Sequence, residues 1–202
     1  MRFRVSLLSC LWFLGSLSER AAAVDSLILI SVSDQKLALL QEGQEVARYP
    51  ISTSKFGQGD SLNSYATPLG WLQVARKIGD QAQPGAVFKK RALTGEILPP
   101  NAPGRDPIVT RILWLRGLES QNKNSFRRCI YIHGTPEEKL LGKPVSWGCI
   151  RMRSKDVVTL FDCVSLGTKV EIQDQPIRRM IREQATPSRP LFAAFGFREG
   201  AE

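Results

Sequence analysis

Between Val24 and Gln173 the chain is a succession of short β-branched and aliphatic runs cut by turn residues, and only one stretch carries a clear helical period. Leu27-Ile28-Leu29-Ile30-Ser31-Val32 reads as a strand, Asp34-Gln35 as a turn and Lys36 to Leu40 as the returning strand. Gln41-Glu42-Gly43-Gln44 turns again, and Glu45 to Ser52 pairs back. Leu69 to Ala75, Ile108 to Leu115, Arg127 to Ile132 and Lys169 to Ile172 have the same strand character. Thr53 to Pro68 and the proline-rich Gly79 to Pro107 are expected as long loops, which in compact domains are functional or disordered. The helical stretch opens at Ser154 as N-cap, with Asp156 in its first turn. Val157, Val158, Leu160, Phe161 and Val164 form its apolar side and Gly167 its end. Pro176 to Gln184 predicts a short basic helix with Ile177, Met180 and Ile181 on one side. So many short strands with so little helix predict a β-rich sandwich or barrel. A chain of 202 residues suffices for one such domain with a proper core.

The termini read differently. Arg2 and Arg4 precede an apolar stretch from Val5 to Leu17, and Ala21-Ala22-Ala23 offers small residues for cleavage, the order of a secretory signal peptide. The stretch is too short to span a bilayer, which takes about 20 apolar residues. A lipoprotein box at Leu7-Leu8-Ser9-Cys10 and a buried N-terminal helix are the alternatives. The expected division is therefore a signal over 1–23, a domain over 24–174 and a basic C-terminal tail over 175–202, with the protein exported to the periplasm or cell envelope. The net charge of +9 survives signal removal almost intact. In an exported protein it points to cell wall or a membrane surface, or to solubility alone, and not to nucleic acid, for which no recognition motif is present.

The chain has one histidine, His133, which excludes any metal site built on two imidazoles, and no Cys-x-x-Cys pair or cofactor motif is present. Cys10 would leave with the signal, so Cys129, Cys149 and Cys163 remain, an odd number in an oxidising compartment. Cys129 in a strand pattern and Cys163 in the helix are expected as small core residues; a disulfide between them stays open. Cys149 lies in neither kind of element.

The chemistry gathers around Cys149. The strand Ile130-Tyr131-Ile132 ends at His133-Gly134-Thr135, and sixteen residues after His133 comes Cys149, in Ser146-Trp147-Gly148-Cys149-Ile150-Arg151-Met152. A thiolate is a strong nucleophile, and a neighbouring imidazole takes its proton and lowers its pKa. Gly148 before the cysteine lets two successive backbone N–H groups, those of Gly148 and Cys149, face a developing oxyanion. No acidic residue stands at an offset suited to orient His133, so a backbone carbonyl, that of Gly134, is the candidate. Arg151 is placed to hold a carboxylate bidentately.

This arrangement resembles the L,D-transpeptidases with the YkuD-type catalytic domain, whose signature is a His-Gly-Thr-like start, a spacer and Ser/Thr-x-Gly-Cys followed by an aliphatic residue and Arg or Asn. Here ten residues separate Thr135 from Ser146. Asp34-Gln35-Lys36-Leu37, Tyr49-Pro50-Ile51-Ser52-Thr53, Thr67-Pro68-Leu69-Gly70 and Gly167-Thr168-Lys169-Val170 resemble further family segments, so the likeness runs from about Ser26 to Gln173. The resemblance implies a mainly β sandwich of two packed mixed sheets with one helix after the catalytic cysteine. It implies peptidoglycan stem peptides as partners, no cofactor, and acyl transfer through a cysteine thioester to an amine. By it Cys149 is the nucleophile, His133 the base and Gly134 the orienting carbonyl. Gly148 and Cys149 form the oxyanion hole, and Ser146, Trp147 and Arg151 bind substrate. Many members carry histidine where this chain has Trp147, which adds an apolar wall and bears on acceptor preference. An L,D-carboxypeptidase or cysteine peptidase using water as acceptor, and a non-catalytic wall-binding domain, are the competing expectations.

Overall fold

A computed structural model describes residues 25–185; the expected signal, Cys10 and the chain from 186 onward lie outside the described residues. The fold is mainly β. Its strands are β1 (Ser26–Ser31), β2 (Lys36–Gln41), β3 (Gln44–Pro50), β4 (Gly70–Ile78), β5 (Ala86–Lys89), β6 (Ala92–Ile97), β7 (Ile108–Gly117), β8 (Tyr131–Gly134), β9 (Ile150–Met152) and β10 (Lys169–Gln173). The helices are α1 (Ser154–Cys163) and α2 (Ile177–Ala185). None of them is long and apolar enough to cross a membrane.

All ten strands belong to one curled mixed sheet. It runs β3-β2-β1-β10-β4-β7, and from β7 continues through β8 to β9, while the β5–β6 hairpin joins the start of β7. The curl nearly closes: Ser52, just beyond β3, exchanges both backbone hydrogen bonds with Arg151 in β9, at 3.0 and 2.9 Å. The inside is filled by Ile28, Ile30, Leu37, Leu39, Leu72, Val74, Leu113 and Leu115, closed over by Val157, Leu160 and Phe161 of α1. β1 lacks the alternation of a half-exposed strand because both its faces are covered. Ile28 and Ile30 face the main core, while Leu29 packs with Ala38, Leu40, Ile177 and Met180 beneath α2. The segment expected as a tail therefore begins with a docked helix, whose first N–H (Ile177) donates to Asp34 Oδ2 at 2.9 Å.

Several local expectations are corrected. The loop from Gly79 to Pro107 contains the β5–β6 hairpin, whose turn puts Lys90 and Arg91 at φ of 50° and 69°. Asn-Gly or Asp-Gly is the usual signal for such a turn, and this chain has Lys-Arg. The strand expected from Arg127 begins only at Tyr131, because Cys129 takes φ of 59° and turns the chain. Ser154 is the first helical residue of α1 and not its cap; its N–H is held by Glu138 Oε1 at 2.9 Å. Cys163 ends α1 on the solvent side and is exposed, Cys129 is half-buried, and both are free thiols.

The other long loop, residues 53–68, is pinned. Asp60 and Arg128 side chains are only 3% and 6% exposed and pair at 2.9 Å. Asp60 also accepts from the Asn124 N–H at 2.5 Å and from Ser125 Oγ at 3.1 Å, and Arg128 donates to the Gly59 and Ala66 carbonyls. Removing one partner leaves a buried charge unmatched, which typically costs about 3–5 kcal/mol. Asp60→Ala is expected to lower the unfolding free energy by that amount in a urea titration. A loss below about 1 kcal/mol, the range of an exposed pair, would show that the buried pair does not secure the loop.

Candidate active site

The spacing between His133 and Cys149 follows from one strand pairing. β8 and β9 run parallel with Ile132 opposite Ile150 and His133 opposite Arg151, which brings Cys149 level with Tyr131. Alternate residues of a strand share a face, so Tyr131 and His133 on one strand and Cys149 and Arg151 on its neighbour point the same way. His133, Ser146, Trp147, Cys149 and Arg151 accordingly line one cleft of about 240 Å³, together with Asp106 and Ile108.

The turn before Cys149 requires its glycine. Gly148 has φ of 112°, and a Cβ there would lie 3.2 Å from the Ala66 carbonyl and 3.3 Å from that of Tyr65. Thr67 Oγ1 donates to the Gly148 carbonyl at 3.1 Å, and Ser146 Oγ donates to the Cys149 carbonyl at 2.6 Å. Ser146 lines the cleft, but its hydroxyl braces this turn. It also accepts from the Gly148 N–H over 3.3 Å, so one of the two expected oxyanion donors rests on Ser146 through a long bond.

His133 is 4% exposed, and its Nδ1 lies 2.8 Å from the Gly134 carbonyl. A carbonyl only accepts, so Nδ1 carries the proton and Nε2 keeps its lone pair. Gly134 is required here as well, since a Cβ would sit 2.7 Å from the Val109 carbonyl. Burial pushes His133 down to about 4, against the Gly134 carbonyl and Asp106, which favour the protonated ring. Burial likewise pushes the Cys149 thiol up to about 11, opposed by the Tyr131 backbone and Arg151. The thiol donates to the Cys129 carbonyl at 3.4 Å. The expectation of a thiol lowered by the imidazole is thus corrected for the resting protein, in which desolvation outweighs the neighbouring dipoles and both groups are neutral.

Arg151 holds carboxylates, but they are the protein's own. It is paired with Asp106 and, at 3.3 Å, with Glu137, whose side chain is 36% exposed. Asp106 in turn accepts from Thr135 Oγ1. Asp106 carries no sequence signal beyond its place in a long loop before a strand, and the fold alone brings it to Arg151. Trp147 is 55% exposed and stands between this cleft and a second, of about 290 Å³, that also reaches Cys149 and is lined by Leu62, Tyr65, Arg127, Arg128 and Ile130. Phe56 and Tyr65 meet Trp147 edge-on, with centroids 5.0 and 5.3 Å away, and Lys55 Nζ lies 4.6 Å from its ring. Phe56 and Tyr65 lie on the first long loop, and neither carries a spacing in the sequence that marks it. Among the described residues no group of three or more His, Cys, Asp or Glu side chains is disposed to hold a metal ion.

The family model of the YkuD L,D-transpeptidase catalytic domain matches residues 25–172. The chain belongs to the L,D-transpeptidases. It is similar to Bacillus subtilis YqjB, which bears that family's name, with 29% identity over 168 residues, 83% of this chain and 81% of YqjB. Escherichia coli YbiS, also so named, is 29% identical over 157 residues, covering 75% of this chain and 45% of YbiS, so the chain spans less than half of that relative. Bd1075 of Bdellovibrio bacteriovorus shares the fold, with a TM-score of 0.50 and 15% identity over 83% of this chain and 55% of that one.

A thiol raised by burial reacts slowly at neutral pH and speeds up as alkali ionises it. Alkylation of Cys149 by iodoacetamide, followed by peptide mapping, is expected to rise with pH well beyond the ordinary thiol value of 9.0, toward about 11. A midpoint below 7 would mean a preformed thiolate and would contradict the neutral resting site.

Proposed function

We propose that this enzyme carries out acyl transfer on peptidoglycan stem peptides through a thioester on Cys149. The observation that carries the reading is the shared face of β8 and β9. It directs a tautomer-fixed His133 and Cys149 into one cleft, with a second cleft reaching Cys149 from the other side of Trp147. One cleft would take the donor peptide and the other the amine.

The chemistry follows from these positions. As the Cys149 sulfur attacks the carbonyl of the third, L-centred stem residue, its proton passes to His133 Nε2. The thiol and imidazole therefore ionise together during attack and not beforehand. The oxyanion takes hydrogen bonds from the Cys149 N–H and from the Gly148 N–H, which gives up its long bond to Ser146 Oγ. The C–N bond to the following D-residue breaks, and the departing amine takes the proton from His133. An acceptor amine then loses a proton to Nε2 and attacks the thioester, and the thiol is restored. Arg151 is placed for a substrate carboxylate, and Glu137, partly exposed and 3.3 Å away, is the partner that carboxylate would displace. Work on the wall requires export, which we assign to residues 1–23 on the strength of Arg2, Arg4, the apolar stretch and Ala21-Ala22-Ala23. The catalytic unit is then 24–174, with α2 docked behind it.

A carbapenem, an acylating mimic of the donor, is expected to add to Cys149 and to neither Cys129 nor Cys163 in peptide mapping. His133→Gln should slow that acylation by about 10²–10⁴-fold, the usual worth of a positioned base, while leaving the protein folded. An adduct on Cys129, or acylation of the variant at the wild-type rate, would overturn the assignment. Mass spectrometry of muropeptides after incubation with purified sacculi and an amine separates the outcomes. Amine-linked product is expected; product formed with water alone would assign an L,D-carboxypeptidase, and an inert Cys149 a wall-binding domain.

A further inference from the structure

Away from the clefts, three arginines converge on one pair of aromatic rings. Arg76 on β4 lies opposite Trp114 on β7, and the Trp114 indole stacks on Phe126 with centroids 4.2 Å apart and planes within 8°. Arg91 lies 4.8 Å from the centre of Trp114, Arg116 lies 4.6 Å from that of Phe126, and Arg76 reaches both at 5.4 and 5.8 Å. All three are exposed. Six other arginines among the described residues hold a carboxylate: Arg48, Arg105, Arg128, Arg151, Arg153 and Arg179. Among the described residues Arg76, Arg91 and Arg116 take part in no ion pair.

Aromatic faces hold guanidinium groups without neutralising them. A guanidinium held over a ring keeps N–H groups for a carboxylate, although Arg91 commits Nη1 to Tyr131 and Cys129. Three unneutralised like charges on one ring stack repel each other, and an anionic partner would relieve that repulsion. The patch is also continuous with the site. Arg91 donates to Tyr131 Oη at 3.2 Å and to Cys129 Sγ at 3.7 Å, and the Cys129 carbonyl takes the Cys149 thiol. Arg127 extends the positive charge into the wall of the second cleft.

We propose that the face formed by Arg76, Arg91 and Arg116 binds the carboxylates of peptidoglycan peptide stems and guides the polymer to the Cys149 cleft. The proposal rests on the acyl-transfer reading for its substrate, but its test is one of binding and does not require turnover. These are exposed contacts, so the attraction falls with salt over a screening length of about 8–10 Å.

The experiment is co-sedimentation of the full chain with purified sacculi over a salt series, using Cys149→Ala so that no acylation intervenes. R76Q/R91Q/R116Q is expected to weaken binding about tenfold at low salt, the combined worth of three exposed ion pairs. A charge-matched control on the β8–β9 crossover and the two helices, K143Q/K155Q/R178Q, is expected to bind within about twofold of the parent. Sacculi whose carboxyls have been amidated should bind the parent as weakly as native sacculi bind the arginine variant. R76K/R91K/R116K keeps the charge and should keep most of the binding, which separates loss of charge from loss of packing around Trp114. Unchanged binding by the glutamine variant, or equal loss in the control, would overturn the proposal. So would sacculi that stay bound after amidation and are released only by stripping phosphodiester polymers. Carbapenem acylation of the parent with Cys149 intact is measured separately and tests the acyl-transfer reading alone. Failure of the parent to acylate would sink the acyl-transfer reading and leave the binding result standing.

Discussion

The parallel pairing of β8 with β9 is the constraint from which the rest of the site follows. Two strands running the same way cannot be joined by a tight hairpin, so the chain must cross over between them. The residues from Thr135 to Cys149 make that crossing, and its last turn at Gly148 delivers the cysteine to the strand face already occupied by His133. A shift of one residue in this register would send Cys149 to the opposite face. Three features hold it. Ser52 closes the curled sheet onto Arg151, Thr67 fixes the Gly148 carbonyl, and Ser146 bonds back to Cys149. The two glycines flanking the site answer the same demand for close approach, Gly134 against the Val109 carbonyl and Gly148 against the carbonyls of Tyr65 and Ala66.

Burial then sets the electrical state. His133 is almost wholly enclosed, and the penalty for charging it exceeds the help of the Gly134 carbonyl and of Asp106. The same desolvation keeps the Cys149 proton in place. A site held neutral in this way protects its thiol from indiscriminate reaction, and in the proposed acyl transfer ionisation waits for a bound carbonyl that shares the charge. The pairing of Arg151 with Asp106 and Glu137 serves that balance too, since an unmatched guanidinium 8% exposed would be costly.

Much of this was legible in the sequence wherever the determining contacts are local. The aliphatic runs of β1, β2, β7 and β10 announce strands, and the α1 period shows in Val157, Leu160 and Phe161. His133-Gly134-Thr135 and Ser146 to Met152 carry their chemistry in adjacent residues. The resemblance to the L,D-transpeptidases, drawn from those segments, is matched by the family assignment over 25–172. What stayed hidden depends on partners far apart in the chain. The β5–β6 turn at Lys90-Arg91 uses positive φ without glycine or asparagine. Asp60 finds Arg128 across 68 positions, and Asp106 finds Arg151 only because β7, β8 and β9 are neighbours. The resemblance puts Ser146 at the substrate, and spacing does not show that its hydroxyl also bonds within its own turn. Ser154 looked like a cap because no local rule shows Glu138 reaching that N–H first.

Because His133 is the chain's one imidazole, its resonances can be followed without ambiguity. Nitrogen-15 NMR of the ring across pH 3 to 9 reports both which nitrogen holds the proton and where the second proton binds. The structure requires an Nδ1–H tautomer through the neutral range, with protonation of Nε2 only as pH falls toward about 4. An Nε2–H tautomer, or protonation near the ordinary histidine value of 6.5, would contradict a buried, neutral base held by the Gly134 carbonyl.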